Sequence, residues 1–202
     1  METIIGREEE KKILTAALQS RDAELIAVYG RRRIGKTFLI RNHYHKYIVF
    51  ELTGIHEASM KDQLRNFSLA LQESMGIPGA PAPPDNWIEA FRQLSDHLKA
   101  KEGKEPIVVL FDELPWLCTP KSGFLQAFGH WLNTWASRNR FVKVVICGSA
   151  ASWIIRNIIN DRGGLHNRVT QRIRLLPFTL AETERFLLHH GVKLDRYQVL
   201  QI

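Results

Sequence analysis

Short, almost wholly apolar runs alternate along this chain with longer stretches in which apolar side chains return every third or fourth position. The runs are the mark of strands buried on both faces, and the longer stretches that of amphipathic helices. Residues 7–20 predict a helix, with Glu8, Glu9 and Glu10 at the positive end of its dipole. Residues 24–29 predict a buried strand closed by Gly30, followed by a helix over 36–46 and a second strand over 47–52. Helices are predicted over 59–75 and 85–101, the latter with Asp85 as its N-cap. A third strand over 106–111, a helix over 122–138, a fourth strand over 141–147, a helix near 151–160 and a fifth strand over 172–176 complete the alternation. Thr179-Leu-Ala-Glu182 is a capping box that opens a last helix, closed by Gly191.

Apolar strands separated by helices predict an α/β fold: a parallel sheet covered on both sides, three layers in one domain. The segment Gly76–Asp85 holds four prolines, which exclude helix and paired strand, and it reads as a connector within that domain. In such sheets ligands bind beyond the C-terminal strand ends. Phe124, Phe128, Trp131 and Trp135 recur at helical spacing and read as a core stripe facing the sheet.

The chemistry falls where the fold predicts it. Gly30-Arg-Arg-Arg-Ile-Gly35-Lys36-Thr37 fits G-x-x-x-x-G-K-[ST] at every fixed position, between a predicted strand and a predicted helix. Gly30 allows a sharp turn off the strand, and Gly35 lets main-chain amides approach a phosphate. Lys36 has the reach for the β- and γ-phosphates, and the Thr37 hydroxyl suits Mg²⁺. This loop implies a nucleoside triphosphate, read as ATP with Mg²⁺, contacted by Gly30, Arg33, Ile34, Gly35, Lys36, Thr37 and Phe38. Arg31 and Arg32 read as a solvated crest of the loop.

A second signature is Ile107-Val-Val-Leu-Phe-Asp112-Glu113, an apolar strand running into two carboxylates. Adjacent acids at a buried strand end are costly unless a cation or water sits there. Asp112 is assigned to the Mg²⁺ shell and Glu113 to the attacking water. Ser149, at the end of the fourth strand, is either a contact to the γ-phosphate or that water, or an N-cap. Arg168, before the fifth strand, is either a phosphate sensor, an arginine finger toward a neighbouring subunit, or a solvated side chain.

Composition narrows the picture little. Apolar residues make up 45% of the 202 positions, and no apolar stretch approaches the length of a membrane helix. The start, Met-Glu-Thr-Ile-Ile-Gly-Arg, has no signal-peptide core and reads as a cytoplasmic N-terminus. Cys118 and Cys147 read as small buried hydrophobes, and the pairs His43/His45 and His189/His190 lack further ligands at zinc-site spacing. The net charge of +7 reads as diffuse, with three of its arginines in the phosphate loop.

Taken in order, Ile5-Gly6-Arg7-Glu8, GRRRIGKT, Asp112-Glu113-Leu-Pro-Trp116, Gly148-Ser149, Arg168 and Leu176-Pro-Phe178 resemble the archaeal-type ATPases, a branch of the STAND class of AAA+-related P-loop NTPases. The resemblance covers essentially the whole chain. It implies a sheet order of 5-1-4-3-2 and places Ile5, Gly6 and Arg7 near the adenine ring. It also implies that the family's helical lid, winged-helix and effector regions lie outside these residues. Apart from the resemblance, the basic net charge keeps DNA, and Arg168 as a finger toward a neighbouring subunit keeps a homo-oligomer, among the candidate partners. Two functions follow: a slowly hydrolysing ATP switch, or a nucleotide-dependent binding module with little turnover. A small-molecule kinase is the weaker third, since no arginine-rich lid or acceptor pocket is evident.

Overall fold

A computed structural model of the chain describes residues 2–76, 82–101, 103, 105–192 and 194–200. Five strands form one sheet: β1 (Glu24–Tyr29), β2 (Ile48–Thr53), β3 (Ile107–Asp112), β4 (Val142–Gly148) and β5 (Gln171–Arg174). Their order is β2-β3-β4-β1-β5 and every pairing is parallel, so the implied order 5-1-4-3-2 holds, read from the other edge.

The alternation of side chains explains why apolar runs become central strands. In β1, Leu25 and Ala27 face one layer while Ile26 and Val28 face the other. In β3, Ile107, Val109 and Phe111 face the first layer, and Val108 and Leu110 the second. A strand wrapped in this way has no polar face to show, and all six residues of β3 are buried.

The first layer holds α3 (Met60–Met75), α4 (Trp87–Lys99), α6 (Phe124–Thr134) and α7 (Ala151–Ile154), which continues into a π-helical turn over Ile155–Ile159. Phe91 is its hub: its ring lies 5.2 Å from Trp131, 5.8 Å from Phe128 and 6.0 Å from Phe111 of β3. The aromatic stripe of α6 is thus core, with Phe124, Phe128 and Trp131 buried and Trp135 packed at the margin. The second layer holds α1 (Glu8–Gln19) and α2 (Lys36–His43), packed through Leu14, Ala17, Leu39 and Ile40. Beyond β5 lie α8 (Leu180–His189), opened by the Thr179–Glu182 capping box, and α9 (Arg196–Leu200).

Several boundaries differ from the sequence pattern for local reasons. The helix predicted over 36–46 stops at His43, because Tyr44 is fully buried and its hydroxyl donates to the Leu14 carbonyl of α1 at 2.7 Å. The N-cap of α4 is Asn86, whose side chain accepts from the Glu89 amide, and not Asp85. The helix predicted over 122–138 ends at Thr134 and tightens into a 3₁₀ turn over Ala136–Arg138. A further short helix, α5 (Leu114–Leu117), follows the acid pair; one turn is too short to show a period. The proline-rich connector lies partly outside the described residues.

Phe91→Ala empties the centre of this aromatic layer. The expected loss is ~3–5 kcal/mol, read from urea unfolding. A loss under about 1 kcal/mol would mean that the layer repacks and that Phe91 is not its hub.

Candidate functional site

The turn from β1 into α2 carries the phosphate loop. Gly30 passes so close to the chain after β5 that a Cβ there would collide with the Leu175 carbonyl oxygen. Gly35 has φ of 87°, and a Cβ there would point into open space, where a phosphate would lie. α2 begins at Lys36, so its first amides face the same point. The Lys36 ammonium folds back over the loop, donating to the carbonyls of Gly30 at 3.1 Å and Arg31 at 2.8 Å. Lys36 is 5% exposed, and its charge sits inside a ring of main chain with no carboxylate bonded to it.

β3 brings the acid pair alongside. The Thr37 hydroxyl donates to Asp112 Oδ2 at 2.8 Å, while the Glu113 amide donates to Oδ1 at 3.0 Å. Burial pushes the Asp112 carboxyl above its usual range; those two hydrogen bonds pull the other way without cancelling it. A hydroxyl and a carboxylate together, with phosphate oxygens completing the shell, are the hard oxygen donors that suit Mg²⁺. Among the described residues, no group of three or more His, Cys, Asp or Glu side chains offers an all-protein metal site.

Glu113 stands in the left-handed region, with φ of 45°. That conformation turns the chain sharply after β3, and non-glycine residues hold it only where their surroundings demand it. The demand comes from β4. Glu113 Oε2 accepts from both the amide of Ser149 at 3.1 Å and its hydroxyl at 3.0 Å. Ser149 is therefore a partner of Glu113 and not an N-cap: α7 starts after Ala150 with no side-chain cap. Sheet register makes this meeting inevitable, since Tyr29 pairs with Gly148, and Phe111 with Ile146.

A cleft of about 720 Å³ opens beside the loop. Ile5, Arg7, Arg33, Ile34, Gly35 and Phe38 line it, so six of the residues expected at the nucleotide lie on one wall. Gly6 sits behind that wall, against Glu182. The opposite wall is Pro177, Phe178, Phe186, His189 and His190. Sequence reasoning missed these residues as site residues, although Leu176-Pro-Phe178 leaves a strand at its C-terminal end, where ligands bind. Arg7 bridges the walls. Its guanidinium stacks 4.4 Å above the Phe178 ring, and its amide donates to Glu182 Oε1 at 2.9 Å. Apolar walls with a few fixed polar groups are what a flat heterocycle needs.

Other expected residues lie elsewhere. Arg31 and Arg32 are exposed on the loop crest, with Arg32 5.4 Å from the Trp116 ring. Arg168 precedes β5 and borders a groove with Ala23 and Glu24, at the starting ends of the strands. The six residues of β1 separate that end from the phosphate loop by roughly 20 Å at 3.3 Å per residue. The structure does not bring Arg168 to the phosphate loop of its own chain. Cys147 is fully buried, and Cys118 is half-buried with its thiol held protonated by its surroundings. Among the described residues, no helix is long and apolar enough to cross a membrane.

A phosphate loop, a carboxylate pair on the neighbouring-but-one strand and an order of β2-β3-β4-β1-β5 together define a P-loop NTPase domain. More narrowly, the chain belongs to the family described as "ATPase domain predominantly from Archaea", whose pattern it matches over residues 4–196. It is similar to an uncharacterized protein of Methanocaldococcus jannaschii, with 27% identity over 186 residues that span 90% of this chain and 38% of that protein. Among solved structures it is similar to a Walker-type ATPase of Pyrococcus abyssi, with a TM-score of 0.67 and 18% identity over 98% of this chain and 62% of that one. The ORC1 protein of Aeropyrum pernix, solved in complex with DNA, gives 0.67 and 16% over 95% and 50% of the two chains. A STAND protein with a tetratricopeptide repeat sensor from Pyrococcus horikoshii gives 0.59 and 14% over 100% and 28%. At these identities the structural likeness is one of fold, and the chain spans under two thirds of each relative's length.

The raised pKa of Asp112 has a measurable sign. Its ionisation opposes folding, so the penalty is absent at pH below the ordinary carboxylate range and sets in as pH rises through the folded-state value. Asp112→Asn is therefore expected to raise the melting temperature of the nucleotide-free protein near neutral pH, by about 2–4 °C for each kcal/mol relieved. The difference should shrink as pH falls toward about 4. A variant that melts lower than the parent at neutral pH would remove the burial argument.

Proposed function

We propose that this chain binds Mg²⁺·ATP and hydrolyses it slowly, as the nucleotide module of a STAND- or AAA+-like switch. The observation that carries the reading is one connected set of side chains. Lys36 waits on the loop carbonyls, Thr37 is bonded to Asp112, and Glu113 to Ser149, all at adjacent strand ends. In this reading the loop amides and Lys36 take the β- and γ-phosphates, and the ammonium exchanges two carbonyl partners for phosphate oxygens. Thr37 and Asp112 would hold Mg²⁺, which would supply charge neutralisation at the phosphates. Adenine lies in the cleft between Ile5–Arg7 and Phe178. Water attacks the γ-phosphorus and gives a proton to Glu113, and ADP leaves with the bond electrons.

The Ser149 contact bears on rate. Glu113 Oε2 is engaged by a serine amide and hydroxyl, which fixes the orientation of the carboxylate and leaves Oε1 as the oxygen that would receive a proton. A carboxylate whose orientation is set by Ser149 supports a second reading, a nucleotide-dependent binding module with little turnover. Arg168, remote from its own phosphate loop, would act on nucleotide only from a neighbouring copy in an oligomer.

Three variants separate the readings, with binding followed by titration calorimetry and turnover by phosphate release. Lys36→Ala should abolish saturable Mg²⁺·ATP uptake. Glu113→Gln should keep affinity within about threefold and lower turnover by ~10²-fold or more. Ser149→Ala should raise basal turnover if the serine restrains Glu113; a fall would instead assign Ser149 to the γ-phosphate or the water. Equal ATP binding by Lys36→Ala and the parent would end the proposal.

A further inference from the structure

The net charge is not spread along the chain, as its overall composition suggests. Between Glu113 and Glu182 there are nine lysines and arginines and a single acid, Asp161, whereas the rest of the chain holds nineteen basic and twenty acidic residues. The whole of the excess thus belongs to the stretch between Glu113 and Glu182, which holds α6 to β5. Within it Lys143 is fully buried and spent on the main-chain carbonyls of Ser20, Asp22 and Arg140. Asp161 is likewise spent, accepting from the amides of Gly163 at 3.0 Å and Leu165 at 2.8 Å.

Four of the arginines that remain lie on one side of the sheet. Ile173 of β5 packs in the core beside α1 and α2, so Arg172 and Arg174 project from the other side of this edge strand, and both are exposed. On that other side α7 and its π-helical turn cover β1 through Ile154 and Ile158, with Arg156 exposed between them. The following loop buries Leu165 and exposes Arg162. Among the described residues, none of these four arginines has a carboxylate within ion-pair distance. Among the described residues no large hydrophobic side chain between 139 and 175 is exposed, although Leu176, immediately after, is.

We propose that this face, over β1 and β5, binds the phosphate backbone of a nucleic-acid duplex. Arginine forks fit phosphate oxygens, and four of them with a single interspersed acid, Asp161, create a net positive field that a polyanion satisfies and an ordinary protein surface does not. With no exposed aromatic ring among its described residues and one exposed aliphatic, Leu176, at its end, this stretch offers little to stacked single strands or to an apolar protein interface. Binding by phosphate contacts alone is independent of sequence and strongly dependent on salt. The site is separate from the nucleotide cleft, so it stands or falls apart from the ATPase reading.

The test is fluorescence anisotropy of the whole chain with a labelled 30-base-pair duplex of arbitrary sequence over a series of salt concentrations. Four phosphate contacts predict a slope of log affinity against log salt of roughly −3.6. Arg172→Glu with Arg174→Glu should lower affinity at least tenfold and make the slope shallower by about two. Arg156→Gln with Arg162→Gln, carried on different elements, should act in the same direction and guards against a folding defect at β5. Lys61→Glu with Arg65→Glu, on α3 at the opposite edge of the sheet, makes the same charge change as the first pair and should cost less than about twofold beyond the parent. Lys36→Ala should bind duplex as the parent does. Absence of saturable binding, equal losses in the α3 control, or tighter binding of polyglutamate than of duplex would each overturn the assignment.

Discussion

A carboxylate at the end of a fully buried strand sets the terms for this molecule. All of β3 is buried, so Asp112 enters a medium that disfavours its charge and can be stabilised only by what the adjacent strand ends supply. The Thr37 hydroxyl from α2 and the Glu113 amide supply hydrogen bonds but no positive charge. The nearby ammonium of Lys36 is committed to the loop carbonyls. The site is thus built with its charges apart, each held by neutral main-chain or hydroxyl groups. Such an arrangement has electrostatic energy to release when a ligand brings both a cation and a polyphosphate.

The same economy shapes the cleft. Its walls come from opposite ends of the sequence, the N-terminal segment and the stretch after β5, and they meet because β5 pairs with β1 directly beneath the phosphate loop. Arg7 belongs to both walls at once, stacked on Phe178 and tied by its amide to Glu182. The fold shared with the Walker-type ATPase, the ORC1 protein and the STAND protein at 14–18% identity is the frame for this meeting; the residues that line it are this chain's own.

How much of this was readable in the sequence depends on how local the information is. The phosphate loop and the acid pair are contiguous, and both sit where their motifs predicted. The strands were legible because β1, β3 and β4 are buried on both faces and so contain little else than apolar residues. Tyr44 was not legible as a helix stop, because its role is a hydrogen bond to Leu14, thirty residues away. Asn86 and Asp85 are both competent caps, and it is the burial of Trp87 that selects the former. The Phe178 wall was hidden by distance along the chain. The position of Arg168 was within reach: a residue just before a parallel strand must lie at the strand's starting end, away from the phosphate loop.

One carboxylate, Glu182, caps α8 with its Oε2 and receives the Arg7 amide on its Oε1. The helix and the N-terminal segment at Arg7 therefore share one pin. α8 has no buried residue, so its ties to the cleft are this carboxylate and the Phe186 ring 5.7 Å from Phe178, and the Arg7 contact with the Ile34 carbonyl carries the chain of bonds on to the loop after β1.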